Sequence, residues 1–578
     1  MNRDLLLKHF DRISEAPDAI PRLRRFILDL AVRGKLVEQD PNDEPAAELL
    51  KRIQAEKEKL GITPRRQDAK KCKKDHKDSG FLGSLASWRE TGFDVPVGWE
   101  WVMLGEICSK TGSGSTPRGG KEAYIAEGTP FLRSQNVYDD GLRLNGVAFI
   151  SEATHEQMKG TCVQPGDLLL NITGGSIGRC AQVPTDFFQG NINQHVALVR
   201  LTFSELNAFT HKTILSPYFQ NEILSSLTGA GREGLPKNKM DEIIIPIPPL
   251  AEQHRIVAKV DELMVLCDQL QAERNKRESR RDRLVTSSLN RISTTTAEEA
   301  KEATRFHLDH LQRLTTRTEH IKRLRQTILN LAVRGRLVPQ DPNDEPAVEL
   351  LRRIQVEKAR LVKEGKIRKQ QALAPIRGDK QLFDLPKHWV WVRLGSVIHL
   401  VSGQHLQPPE YTDDKNAGVA YITGPSDFGQ NGLVITRYAL VRKAIAYKGQ
   451  LLLTVKGSGV GKTTVCDIEE VAISRQLMAL TAIKWNSNFM EMITYRLAET
   501  LRECARSLIP GIAREDVDEF LFALPPLAEQ HRIVAKVDEL MVLCDQLEAS
   551  LNNTEADSRR MLEAVLRDAL NPVMKEAA

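Results

Sequence analysis

The chain has 578 residues, 41% apolar, 27% charged and 5% aromatic, an ordinary composition for a folded protein with room for several cores; about four domains is the expectation. A net charge of +5 with pI near 8.6 permits nucleic-acid binding without demanding it, because the usual footprint is a more basic domain or patch. The eight cysteines never form CxxC, which argues against a zinc ribbon or disulfide framework, and no apolar run approaches the ~18 residues of a bilayer span.

The opening, MNRDLLLKHFDRI, carries charges every few residues and no apolar leader core, so a cytoplasmic protein is expected. From Ile20 to Gly34, Leu23, Ile27, Leu30 and Ala31 recur at helical spacing, with Gly34 as terminator. Past the loop DPNDEP, Pro45 suits the first position of a second helix, AAELLKRIQAEK. The basic run from Arg65 to Asp78 reads as a solvated linker that can add phosphate attraction.

A variable block then opens with PVGWEWVMLGEI (Pro96 to Ile107). Trp99 and Trp101 are two apart on a strand and point to opposite faces, which sends one ring into the core. Stacking on a base is the sharper alternative. Polar islands follow: KTGSGSTPRGGK (Lys110 to Lys121), FLRSQNV (Phe131 to Val137), NINQH (Asn191 to His195) and GREGLPKNK (Gly231 to Lys239). Between them, PGDLLLNITGGSIGRC (Pro165 to Cys180) reads as a buried strand running into a glycine-rich turn.

The block closes with IPIPPL and then PPLAEQHRIVAKVDELMVLCDQL, Pro248 to Leu270. Ile256, Val260, Leu263, Cys267 and Leu270 alternate spacings of four and three, an a/d seam fit for a two-helix coiled coil. Glu252, Gln253, His254 and Arg255 are expected to face outward.

The chain then starts again. LAVRGKLVEQDPNDEPAAELLKRIQAEK (Leu30 to Lys57) returns from Leu331 to Lys358 with 23 of 28 positions unchanged, and Gly335 and Pro346 in the same roles. A second basic linker, Lys363 to Lys380, precedes PKHWVWVRLGSV, which repeats the WxW pair as Trp389 and Trp391. The polar islands of block two are VSGQHLQ (Val401 to Gln407), TGPSDFGQ (Thr423 to Gln430) and AISRQ (Ala472 to Gln476). KGQLLLTVKGSGVGKT ends like a phosphate loop, but GxxxxGK[ST] requires glycine where Lys456 stands, and block one ends its turn in Gly-Arg-Cys. A glycine-rich hairpin offering Lys456, Ser458 and Lys462 to a polyanion is the better reading. The 23-residue helix finally recurs without a change from Pro525 to Leu547, its seam carried by Ile533, Val537, Leu540, Cys544 and Leu547 and extended by Leu551.

The expected fold class is therefore mixed α+β: a tandem duplication in which two α/β blocks are separated by long helices forming an antiparallel coiled coil, with pseudo-two-fold symmetry. Identical frames suggest a repeated partner, and different polar loops suggest two different targets. Arg on such loops suits guanine, and Asn or Gln suits adenine. The candidate DNA contacts are Ser113, Thr116, Arg133, Gln135, Asn136, Asn193, Gln194 and Arg232 in block one. In block two they are Gln404, His405, Ser426, Lys456, Lys462, Arg475 and Gln476. Partner contacts are expected at Glu252, His254 and Arg255 and at their copies Glu529, His531 and Arg532.

LAVRGKLV followed by QDPNDEPA, the PxxWxWxxLG block opening, and IPxPPLAEQHRIVAKVDELM together resemble the specificity (S) subunits of type I restriction-modification systems, over essentially the whole chain. One departure is FLFALPP (Phe520 to Pro526) at the close of block two. The resemblance implies a helical head with basic linker (1–94), a first target-recognition domain (95–247) and a spacer helix (248–292). A second head and linker (293–384), a second target-recognition domain (385–524) and a C-terminal helix (525–578) complete it. It further implies a chain that catalyses nothing and holds no cofactor. It would read a bipartite asymmetric double-stranded DNA site and bind two methyltransferase (M) subunits together with restriction/translocase (R) subunits. S-adenosylmethionine, ATP and Mg2+ would belong to those partners. The sequence agrees in lacking an NPPY-like tetrapeptide to hold a flipped base. A two-gene type II specificity subunit is the nearest alternative, and a protein-only coiled-coil scaffold is the alternative from another class.

Overall fold

A computed structural model describes residues 16–62, 93–227, 234–368, 373, 376, 383–430, 432–457, 459–504 and 511–570. The basic run Arg65 to Asp78 lies outside them, as does most of the second linker. The described residues divide into two units, split between Arg277 and Glu278 and again between Thr554 and Glu555. Among them, no helix is long and apolar enough to cross a membrane.

Unit one begins with the head helix Ala19–Val32. It ends where the sequence places its terminator: Gly34 has φ +65°, with Gly34 N–H donating to Ala31 O and Lys35 N–H to Leu30 O. Those two bonds satisfy the last carbonyls of the helix in a left-handed cap. A Cβ on Gly34 would also lie 2.4 Å from Pro96 Cγ, so the glycine lets the head approach the block's first residues. Gly335 repeats both features, with φ +68° and Pro386 Cγ at 2.6 Å. The second head helices, Ala46–Lys59 and Ala347–Lys363, start one residue later than expected, with Pro45 and Pro346 at their N-caps.

Block one contains a four-stranded antiparallel sheet in the order Cys108–Ser113, Val196–Leu201, Leu168–Asn171, Cys180–Gln182. A second four-stranded sheet runs Ala148–Ile150, Thr129–Leu132, Gly190–Ile192, Cys162–Val163, with its central pair parallel. Leu168, Leu169 and Leu170 are fully buried, which suits a central strand covered on both faces. The opening strand Glu100–Met103 pairs antiparallel with the closing strand Ile244–Ile247. Both strands of this ribbon are edges, so Pro246, which has no backbone N–H to donate, is tolerated there. The ends of the block thus meet, and the long helix Leu250–Thr294 leaves from that point.

Unit two repeats the plan. Val390–Arg393 pairs with Leu521–Leu524, and the first sheet runs Ile398–Ser402, Leu477–Ala482, Leu451–Thr454, Thr463–Val465. The second sheet keeps a parallel central pair, Val419–Ile422 with Glu470–Ile473, and has five strands.

Each long helix, of 45 and 44 residues, belongs to both units by sequence. In the first half of each, the a/d seam is filled by the head helix of the same unit as far as Cys267 and Cys544; Leu270, expected to continue it, is 49% exposed. Ile256, Val260 and Cys267 pack with Ile20, Ile27, Leu28 and Ala31, and in the second unit Ile533, Val537 and Cys544 join the core of Ile321, Ile328 and Ala332. The tail of Leu250–Thr294 buries Val285, Leu289 and Ile292 against Ala303 and Leu314 within unit two. The tail of Leu527–Leu570 packs Leu562 on Ala16 and Ala19 within unit one.

Candidate nucleic-acid interface

The two sheets of block one are joined by one three-residue turn, Asn193–Gln194–His195, between Gly190–Ile192 and Val196–Leu201. Loops from both sheets therefore gather there. Gly114 N–H donates to Val196 O, Ser115 N–H to Ile192 O, Asn193 N–H to Leu132 O, Ile172 N–H to His195 O, and Leu235 N–H to Ile172 O. Block two repeats every one of these backbone bonds. Gly403 N–H donates to Leu477 O, Gln404 N–H to Ile473 O, Ser474 N–H to Ile422 O, Val455 N–H to Gln476 O, and Ile512 N–H to Val455 O. A Cβ would stand 2.2 Å from Asn193 O at Gly114 and 2.0 Å from Ser474 O at Gly403, so only glycine passes over the turn.

This frame sorts the candidate residues. Ser113, Thr116, Gln135 and Gln194 are exposed, and Arg133 is half-buried, its guanidinium 5.7 Å from the centre of the Tyr124 ring. Asn136 and Asn193, at 1% and 8% exposure, are frame residues instead. Asn136 Oδ1 accepts from Arg133 N–H and its Nδ2 donates to Arg143 O; Asn193 Oδ1 accepts from His195 N–H. Arg232 lies outside the described residues. In block two Gln404, His405, Ser426, Lys456, Lys462, Arg475 and Gln476 are all exposed. Asp427, which sequence reasoning passed over, takes the role of Asn136 by accepting from Thr423 N–H.

The lysine-bearing turn of block two joins two antiparallel strands, with Gly461 N–H donating to Thr454 O and Thr454 N–H to Lys462 O. A phosphate loop of the NTPase kind opens a helix, so this hairpin is a different structure. Lys456, Lys462 and Arg475 are exposed and have no carboxylate partner among the described residues, whereas many basic side chains of the helices are ion-paired. Unpaired cations at one loop cluster are suited to an anionic ligand. Block one adds Arg179, 4.9 Å from the ring centre of Tyr138, and His195, whose Nδ1 lies 2.5 Å from Thr173 Oγ1. Arg179 was legible as the end of the glycine-rich turn; Tyr138 carried no sequence signal.

The outward-facing reading of the repeated helix needs correction. Glu252 and Glu529 are each 1% exposed and accept the indole N–H of Trp99 and Trp389 at 2.9 Å. Gln39 and Gln340 of the head loops donate to the same carboxylates. Arg255 and Arg532 bind Asp43 and Asp344 of those loops at 2.6 and 2.5 Å, and this bonding holds both guanidinium pKa values above the ordinary one. These residues recur because head, block and helix are locked by one repeated set of contacts. His254 and His531 are exposed. Exposed too are Val265 and Leu266 (54% and 45%) and their copies Val542 and Leu543 (54% and 47%), apolar positions off the seam.

Fold and site together define a duplicated scaffold that displays two different polar loop clusters on one repeated frame. The family model described as "Type I restriction modification DNA specificity domain" matches residues 96–277 and 386–554. The chain is 32% identical to the type I restriction enzyme EcoAI specificity subunit of Escherichia coli, over 96% of this chain and 94% of that protein. It is 31% identical to the EcoEI specificity subunit of the same species, with the same coverage. The chain belongs to the type I restriction-modification specificity subunits. Among solved structures, the HsdS subunit from Thermoanaerobacter tengcongensis aligns with 83% of this chain and 98% of its own, at 21% identity and a TM-score of 0.39.

Proposed function

We propose that this chain is the non-catalytic, address-bearing subunit of a type I complex, with each block reading one half of a bipartite, asymmetric DNA site. The observation that carries this reading is the identical set of backbone bonds around the two loop clusters, which hold different side chains outward. Lys456 and Lys462 contact phosphates and fix register, while Ser113, Thr116, Arg133, Gln135, Gln194, Gln404, His405, Ser426, Arg475 and Gln476 face base edges. Two methyltransferase subunits dock on the exposed faces of the two repeated helices, around His254, Val265 and Leu266 and around His531, Val542 and Leu543. Restriction/translocase subunits join the assembly, and S-adenosylmethionine, ATP and Mg2+ are bound by those partners in the cytoplasm.

The test is adenine methylation across the genome in cells with and without this gene, the methyltransferase partner being expressed in both. A bipartite motif with a fixed gap that disappears on deletion supports the reading and supplies the target. An unchanged methylome rejects it. Leu266→Asp with Leu543→Asp separates the two roles: methylation is expected to fall while DNA retention by the purified chain is kept.

A further inference from the structure

The turns Asn193–His195 and Ser474–Gln476 occupy the same junction of their blocks and are closed by the same bond. The backbone N–H of the third residue donates to the side-chain oxygen of the first at 3.1 Å in both, from His195 to Asn193 Oδ1 and from Gln476 to Ser474 Oγ. The first residue is buried in both, at 8% and 5% exposure, and the second is exposed. The frame therefore holds one side chain outward at a fixed place, and the two blocks differ in what they put there.

Block two puts Arg475 there. Its guanidinium has no hydrogen-bond or ion-pair partner among the described residues, and the exposed Lys456 and Lys462 share its loop cluster. Lysines on a hairpin suit phosphate oxygens, which fix the register of a reader on the duplex. The rigid fork of an arginine matches O6 and N7 of guanine. Block one puts Gln194 there. Thr116 Oγ1 donates to its Oε1 at 2.6 Å, and its Nε2 lies 3.2 Å from His195 Nε2. Those contacts orient the amide and leave one lone pair and one N–H, the combination that meets N6 and N7 of adenine.

Resting on the proposal that each block reads DNA, we infer that the second residue of this turn is a base-reading position in both blocks. Arg475 reads a guanine in one half-site, and Gln194 reads an adenine in the other.

The reciprocal substitutions Arg475→Gln and Gln194→Arg test this in the full chain, with its methyltransferase partner. The methylome motif and binding to duplexes altered one base pair at a time are compared with wild type. Arg475→Gln is expected to remove a preference of about ten- to a hundredfold for one G·C pair in one half-site, leaving the other half-site unchanged. Gln194→Arg is expected to move one position of the opposite half-site from A·T towards G·C. Uniform weakening on every duplex by Arg475→Gln would make Arg475 a phosphate contact and overturn the inference while leaving two-block reading intact. An unchanged motif in both variants, each melting as wild type, would also overturn it. Absence of any bipartite motif with the wild-type chain would instead reject the reading on which it rests.

Discussion

The two copies of the 23-residue helix have the same residues and, at one place, different neighbours. Gln253 Nε2 donates to Pro248 O at 2.9 Å, and Gln530 Nε2 donates to Pro525 O at 2.9 Å. There the equivalence ends. Gln530 Oε1 accepts the backbone N–H of Asn486, whose Nδ2 lies 3.0 Å from His531 Nδ1. Asn486 in turn caps its own helix by accepting from Phe489 N–H. In the first copy Gln253 Oε1 is buried with no hydrogen-bond partner among the described residues, beside a groove lined by Glu205, Phe209, His254 and Asp261. Contacts made to the repeated heads and to the tryptophans that open each block are duplicated, and the contact made to Asn486, deeper in block two, is not. Sequence identity carries an interface only as far as both of its sides are repeated.

The most severe way to break the comparison is to empty the seam. Ile256 and Ile533 are both fully buried against their head helices, so Ile256→Ala and Ile533→Ala should each cost about 2–5 kcal/mol. Urea unfolding of the two variants checks this, and costs differing by more than about 1 kcal/mol would mean that the frames are not equivalent. Next comes the indole lock. Trp99→Phe and Trp389→Phe remove the donor from a buried glutamate and should each cost about 1–3 kcal/mol. Unchanged stability in either variant would show that the glutamate is satisfied without the indole.

Those sites also mark what the sequence could tell. The repeats and the glycine terminators were legible because each rests on local rules, namely periodicity and a left-handed cap, whereas strand alternation misjudged the second WxW pair: Trp389 lies just ahead of its strand, and both Trp389 and Trp391 are buried, at 6% and 8%. Gly34 and Gly335 both cap as expected. The burial of Glu252 was not legible, because its partners Trp99 and Gln39 stand 153 and 213 positions away, and helical phase alone does not say which polar residue meets them. Asn136 and Asn193, expected on the surface, are buried and bonded to backbone for a related reason. An amide that suits adenine suits a backbone turn equally well, and only the fold decides between them.

A finer cut isolates Asn486. Gln253→Leu and Gln530→Leu lose the same bond to a proline carbonyl, but only the second strands the Asn486 N–H. Gln530→Leu should therefore cost about 1 kcal/mol more than Gln253→Leu. Equal losses would place a partner of matching strength, such as an ordered water, on Gln253 Oε1.

The smallest expected effect is a pH dependence of the lock in unit two. Burial raises the pKa of Glu529 above 4.5, against the opposing pull of the Trp389 and Gln340 hydrogen bonds. The folded chain then holds this proton at pH values where the unfolded chain has released it. Stability from this group is complete below pH 4.5 and is lost as pH rises through the folded value, the reverse of an ion-paired carboxylate. Glu529→Gln removes the titration, so the difference in unfolding free energy between wild type and variant should shift across that window in favour of the variant. A difference that stays flat from pH 4 to 7 would mean that the two hydrogen bonds outweigh burial at this carboxylate.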